Sequence, residues 1–278
     1  MQRFHTVAYK IATLVTQNYS TSFYSASRLF PKEMRDAIFG IYGFVRFADE
    51  IVDTFHEYNK PFLLDKFEHD YYEAMEQGIS LNPILHAFQL TVRKYQIPDK
   101  HIQAFLKSMR DDLHKKNYQT QAEIDEYVYG SADVIGLMCL KVFCNGDQEL
   151  YNDLEKPAMK LGSAFQKVNF LRDLQNDIEY LDRRYFPCLV TQEFNEITKN
   201  LIINEIEADF QEAYQGMKRL PKTCKLPVYI AYSYYSTLLN KIKRIPSKEI
   251  MNKRIRIPNT IKFFIITKVF IYNRLNII

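Results

Sequence analysis

Two carboxylates, Asp49 and Asp53, stand four positions apart in the run Arg46-Phe47-Ala48-Asp49-Glu50-Ile51-Val52-Asp53. On a helix they share one face, about 6 Å apart along the axis, and Arg46 lies near that face. A second run, Gln166 through Asp177, places Gln166, Asn169, Asp173 and Asp177 up one side at helical spacing, with Arg172 beside them. Like charges at this spacing destabilise a helix, and an apolar setting makes an unpaired carboxylate costly. Hard divalent cations supply the compensation, since carboxylate and amide oxygens suit Mg2+, with Mn2+ as a substitute. Mg2+ also keeps water and bridges to phosphate oxygens. Two ladders facing each other across a cavity could therefore hold a diphosphate, with Arg46 and Arg172 adding charge-assisted contacts. A single ladder reads equally well as a solvated face neutralised by its arginine. Two matching ladders in apolar segments favour metal and diphosphate.

The elements that must position these groups read as helices. A short amphipathic helix over His5–Gln17 leads into the hydroxyl-rich joint Tyr19-Ser20-Thr21-Ser22-Phe23-Tyr24. Pro31 suits the start of a long helix over Lys32–Thr54, whose broad apolar side predicts an element near the middle of the fold. Gly40 and Gly43 in its interior fit either close helix packing or room for something beside it. Further helices are expected over Lys60–Gln77, Pro83–Tyr95, Asp99–His114 and Gln121–Phe143. A long helical region follows from Asp147 to about Asp182, with an interruption near Pro157. The remainder reads as helices near Gln192–Arg219, Leu226–Lys243 and Thr260–Asn273. Alternating strand segments are lacking. With no low-complexity linker or jump in composition, the pattern is one all-α domain over residues 1–278.

Composition sets the outer limits. The 278 residues carry a formal charge of +4, too weak a balance to argue for nucleic acid. Cys139, Cys144, Cys188 and Cys224 form no CxxC pair, which excludes a zinc knuckle or a thioredoxin-type site. Cys139 and Cys144 read as small buried hydrophobes. The lack of a secretory leader makes a cytoplasmic chain with reduced thiols the expectation. No uninterrupted run of about 18 apolar residues marks a membrane span. There is no Trp, but there are 20 Tyr and 20 Phe, enough to fill a core or line a long apolar cavity. Phe23, Tyr42, Phe44, Phe165 and Phe170 fit either role. His56, three positions after Asp53, is explained by a solvated helix end.

At this point the sequence resembles the phytoene/squalene synthase family, the head-to-head isoprenoid synthases, and most of all its bacterial phytoene synthase branch. The landmarks are Ser20-Thr21-Ser22-Phe23, Arg46 through Asp53, Tyr127 through Gly136, Gln166 through Asp177, and Arg184-Tyr185-Phe186-Pro187. The resemblance spans nearly the whole chain and implies an all-α isoprenoid (terpenoid) synthase fold around a central cavity. It implies metal binding by Asp49, Asp53, Asn169, Asp173 and Asp177. Arg46, Tyr129 and Tyr185 join these five as the implied catalytic set. The implied substrate-binding positions are Ser20, Ser22, Arg46, Gln166, Arg172, Tyr235, Arg254 and Lys262. Two positions depart from the family pattern: Asp49 is followed by Glu50 where a second Asp is usual, and Lys167 replaces a small or apolar residue. Both should face away from the ladders.

The activity implied is Mg2+-dependent joining of two geranylgeranyl diphosphates through a cyclopropyl diphosphate to phytoene. The alternative is squalene or dehydrosqualene formation from farnesyl diphosphate, with NADPH needed only for squalene. A non-enzymatic helical assembly protein is a further reading, countered by the intact Asp and Arg positions. The last stretch, Ile257–Ile278, sets Lys262, Lys268 and Arg274 beside Phe263, Phe264, Phe270 and Ile271. It fits peripheral contact with the inner membrane surface or a helix docked into the core.

Overall fold

The computed structural model describes residues 1–179, 183–252 and 254–275. Among these the chain forms α1 (Gln2–Tyr19), α2 (Thr21–Ser27), α3 (Lys32–Asp53), α4 (Lys60–Gln77), α5 (Pro83–Tyr95), α6 (Asp99–Asp111) and α7 (Gln121–Val128). A π-helical turn over Tyr129–Asp133 joins α7 to α8 (Val134–Cys144). Then come α9 (Gln148–Glu179), α10 (Cys188–Thr191), α11 (Glu196–Met217), α12 (Lys222–Arg244), α13 (Ser247–Ile250) and α14 (Asn259–Arg274). The only extended pairing among the described residues is an isolated bridge between Asn117 and Arg184.

The centrality of α3 follows from its apolar width. Phe39, Ile41, Phe44 and Ala48 are all fully buried, and Phe44 stacks on Phe88 of α5 with ring centroids 4.0 Å apart. Its interior glycines serve close packing. A Cβ on Gly40 would come within 2.9 Å of Thr91 Oγ1 and 3.2 Å of the Ala87 carbonyl oxygen, both on α5. A second body of core, around Phe170, Leu171, Ile203 and Ile206, joins α9 to α11.

Three sequence expectations change. Pro157 does not interrupt α9, which runs unbroken through it. The lost hydrogen bond is offset from outside, because the Asp153 carbonyl accepts from Arg219 Nη2 at 3.2 Å. The proline ring also packs into the space left by Gly216 of α11. The single helix expected over Gln121–Phe143 is divided by the π-helical turn. The run Gln121–Cys144 is long and apolar enough to cross a membrane, yet 67% of its apolar window is buried inside the fold, as befits a core helix. Finally, α12 begins at Lys222 and carries Pro227 within it. The expected end of α9 at Asp182 lies outside the described residues.

Candidate active site

The first ladder occupies the last turns of α3. Arg46 forks between the Asp49 and Glu50 carboxylates, and its guanidinium lies 4.5 Å over the Tyr19 ring at the end of α1. Glu50, one position round the helix from Asp49, thus shares the arginine without joining the ladder. Burial pushes the Asp49 carboxyl up to about 7, and Asp53 adds to the push while Arg46 opposes it.

The second ladder climbs the C-terminal half of α9. Arg172 donates to both Asp173 oxygens, and Arg254, from beyond α13, reaches Asp173 Oδ1 at 2.7 Å. Asp177 is buried, and burial raises its carboxyl to about 7; Asp173 and Asp53 push the same way, Arg183 and Arg172 against it. Asn169 gives Gln166 Oε1 a hydrogen bond at 3.4 Å, while its own Oδ1 is buried without a partner. Lys167 faces the other way, into α11, where it donates to Glu205 at 2.5 Å and Asp209 at 2.7 Å.

Arg183 ties the two ladders together. Its Nη1 lies 2.9 Å from Asp53 Oδ1 on α3, and its backbone N–H donates to the Asp177 carbonyl of α9 at 2.7 Å. The same guanidinium donates to the Asp112 carbonyl at 2.9 Å and to the Tyr185 hydroxyl at 3.3 Å. Beneath it Tyr185 stacks on Phe170 at 4.0 Å and on Tyr127 at 5.4 Å, and the Tyr127 hydroxyl donates to Asp112 Oδ2 at 3.0 Å. Buried Asp112 is pushed up to about 7 by burial, with Arg183 opposing. Arg183 and Asp112 carry no spacing signal of their own, and sequence reasoning passes over them; Tyr127 enters it only as the first residue of a landmark, without a role. The structure does not bring Tyr129 to this group. Two positions along a helix turn a side chain by about 200°, and the charged neighbours of Tyr129 are Glu155 and Asp133.

Beside the ladders lies a polar mouth of about 420 Å³, lined by Ser20, Ser22, Arg172, Tyr235, Arg254 and Lys262 among others. The Ser20 hydroxyl caps α2 by accepting from the Phe23 N–H at 3.3 Å and also bonds Tyr42 of α3. Tyr235 stacks on Phe165 at 4.0 Å, and Lys262 donates to Thr21 Oγ1 at 3.1 Å. A second cavity of about 240 Å³ is almost wholly apolar. The two cavities use the same three helices at different heights. On α2 the mouth takes Ser20–Ser22 and the apolar bore takes Phe23 and Ser27; on α12 they take Tyr234–Leu238 and Pro227–Ala231. On α9 the mouth takes Arg172, and the bore runs from Gln166 back to Leu154, roughly 18 Å of helix. The stacked Phe30–Phe143 pair lines the bore, as does Cys139, whose thiol burial pushes up to about 12 and so keeps protonated.

The donor set suits a hard cation: carboxylate oxygens from two helices and the unpartnered Asn169 oxygen. Among the described residues no three His, Cys, Asp or Glu side chains converge closely enough to hold an ion by themselves. A cation here would complete its shell with water or phosphate oxygens, as Mg2+ ordinarily does.

The chain is similar to known proteins in sequence and in fold. The chain is 26% identical over 278 aligned positions to a phytoene synthase of Arthrospira platensis, covering 90% of this chain and 88% of that one. It is 28% identical to a 15-cis-phytoene synthase of a Synechocystis strain, covering 90% and 81%. Among solved structures, a dehydrosqualene synthase in complex with ligand superposes with a TM-score of 0.83 at 20% identity, over 97% of this chain and 98% of that one. A squalene synthase from Alicyclobacillus acidocaldarius superposes at 0.74 with 20% identity, over 85% and 93%. Both share the fold. The sequence profile described as squalene/phytoene synthase matches residues 16–260, and the chain belongs to that family of prenyl-transferring enzymes.

Proposed function

We propose that the chain joins two molecules of geranylgeranyl diphosphate head to head, through a cyclopropyl diphosphate, to give phytoene. The observation that carries this reading is a cationic, hydroxyl-lined mouth and an apolar bore at different heights of α2, α9 and α12, with Arg172 and Arg254 of the mouth on Asp173 and Arg183 linking that ladder to the other. The likeness to two phytoene synthases supports the chain length.

Asp49, Asp53, Asn169, Asp173 and Asp177 are the residues that would hold Mg2+, which when bound draws negative charge onto the leaving diphosphate. Arg46, Arg172, Arg254 and Lys262, with the Ser20 and Ser22 hydroxyls, would orient the diphosphate oxygens. The C–O bond of one substrate breaks, and the electron pair leaves with its diphosphate. The double bond of the second substrate attacks the allylic cation, and loss of one proton closes the cyclopropane. The second diphosphate then departs, the skeleton rearranges, and loss of another proton leaves the central triene. The bore walls exclude water that would quench these cations. The aromatic faces of Phe165 and Tyr235 lie where they could stabilise positive charge.

The shorter farnesyl substrate is the second reading, favoured by the modest bore of about 240 Å³. Incubation of purified protein with Mg2+ and either diphosphate, with and without NADPH, separates the readings by product mass. Phytoene from geranylgeranyl diphosphate without NADPH is the expected result. A C30 product alone moves the assignment to the farnesyl branch, and conversion of neither substrate removes the proposal.

A further inference from the structure

One carboxylate of the ladders has every lone pair engaged. A carboxylate accepts about four hydrogen bonds, two at each oxygen. Asp173 Oδ1 takes Arg172 Nε at 3.1 Å and Arg254 Nε at 2.7 Å. Its Oδ2 takes Arg172 Nη2 at 2.6 Å and Arg254 Nη2 at 3.3 Å. Two guanidinium forks thus fill both oxygens. On Asp53, by contrast, Arg183 lies against Oδ1, and among the described residues no ion pair engages Oδ2. The two forks on Asp173 are also unlike each other. Arg172 precedes Asp173 on α9, and its side chain is 23% exposed. Arg254 comes from the non-helical stretch between α13 and α14, is 52% exposed, and lines the polar mouth with Lys262. Its backbone is held on the far side: Ile255 belongs to the buried core around Leu171 and Leu174, and the Arg256 carbonyl accepts from Lys241 Nζ at 2.8 Å. The Arg254 side chain can therefore change partners without the chain moving.

We propose that Arg254 is an exchangeable counterion: it occupies Asp173 until a diphosphate draws it into the mouth, and its departure frees Asp173 for a divalent cation. Phosphate and carboxylate oxygens compete for the same guanidinium edge. A guanidinium and a hard cation compete in turn for the same carboxylate lone pairs. One side chain cannot serve both partners at once, so Arg254 couples the two binding events, and such coupling is reciprocal. While it stays on Asp173 it also keeps that carboxylate from repelling the incoming anion. The inference rests on the proposed diphosphate chemistry and adds an order to it. Asp53 can take a cation with Arg183 in place, whereas Asp173 takes one together with the diphosphate and not ahead of it.

The test measures binding to the purified full chain, without turnover. Mn2+ alone is titrated by electron paramagnetic resonance, and inorganic diphosphate alone, in the presence of chelator, by calorimetry. Arg254→Gln should bind Mn2+ about fivefold more tightly than wild type and diphosphate about tenfold more weakly. Loss of any nearby positive charge favours a cation, so Lys262→Gln is the control, since Lys262 shares the mouth but donates to Thr21. That variant should weaken diphosphate binding and leave Mn2+ affinity within about twofold of wild type, its charge being screened. In an Asp173→Asn background, Arg254→Gln should no longer tighten Mn2+. Every variant should keep wild-type helicity by circular dichroism. Unchanged or weaker Mn2+ binding by Arg254→Gln would overturn the exchange, as would equal tightening by Lys262→Gln or an effect that persists over Asp173→Asn. Opposite shifts in a protein that converts no prenyl diphosphate would uphold the exchange and remove the proposed reaction. Phytoene formation by a protein whose Mn2+ affinity ignores Arg254 would do the reverse.

Discussion

The two acidic ladders are near equivalents in sequence and differ in what holds them. On α3 the arginine is local: Arg46 sits one turn from Asp49 and divides itself between Asp49 and Glu50. On α9 the compensation is assembled from afar, with Arg254 joining Arg172 on Asp173. Arg183 then links the helices, its side chain on Asp53 and its backbone on Asp177. The difference teaches that helical spacing can align carboxylates, whereas only groups distant in sequence show that two such rows share one space.

That contrast can be broken most forcefully at the carboxylates. Asp53→Asn and Asp173→Asn should each lower turnover by about a hundredfold or more with helicity retained, because each removes a charged oxygen ligand from the cation that would stabilise the leaving diphosphate. Undiminished activity in both at limiting Mg2+ would remove their role in metal binding. Next in size is the link itself. Arg183→Gln strands buried Asp112 as well as Asp53, and should cost about 3 kcal/mol of stability in denaturant titration besides turnover. Arg46→Gln, which loosens a half-exposed local fork, should cost under about 1 kcal/mol of stability. Equal stability losses would erase the distinction between local and distant compensation.

The smallest effect belongs to the support behind α9. Asp133, in the π-helical turn, accepts from Ser163 Oγ at 2.7 Å, and burial pushes its carboxyl up to about 7 from the ordinary 3.8, Ser163 opposing. Between these values the folded chain holds a proton that the unfolded chain has released, so this group's contribution to stability falls as pH rises from about 4 to about 7. Asp133→Asn should flatten the stability–pH curve in that window, as read from denaturant titrations at pH 4 and pH 7. An unchanged slope would mean that the carboxyl is ionised throughout.

Much of this was legible in the sequence because helical periodicity is a local property. The ladders, the bounds of α4 and α5, and the turn of Lys167 away from the ladder all follow from spacing. Of the fifteen residues from Ser20 to Lys262 that the sequence analysis assigns to the site, Tyr129 lies away from the ladders, its charged neighbours being Glu155 and Asp133. Its misplacement arises because Tyr127 and Tyr129 lie two positions apart in one short motif, and only tertiary packing decides which ring meets Tyr185. Asp112 and Arg183 were hidden for another reason: each is one of several adjacent charges near a helix end, indistinguishable from its solvated neighbours until Tyr127 and Tyr185 cover it. Pro157 reads as a breaker because its partners, Gly216 and Arg219, lie on and just beyond α11.

The most direct measurement of whether the two rows serve one reaction centre is a double-mutant cycle on kcat/KM, combining Asp53→Asn with Asp173→Asn. If both carboxylates act on the same bound diphosphate, the double variant should be little worse than the poorer single variant, a strong coupling. Losses that simply multiply would mean that the rows act independently, and the shared chamber would no longer account for the chemistry.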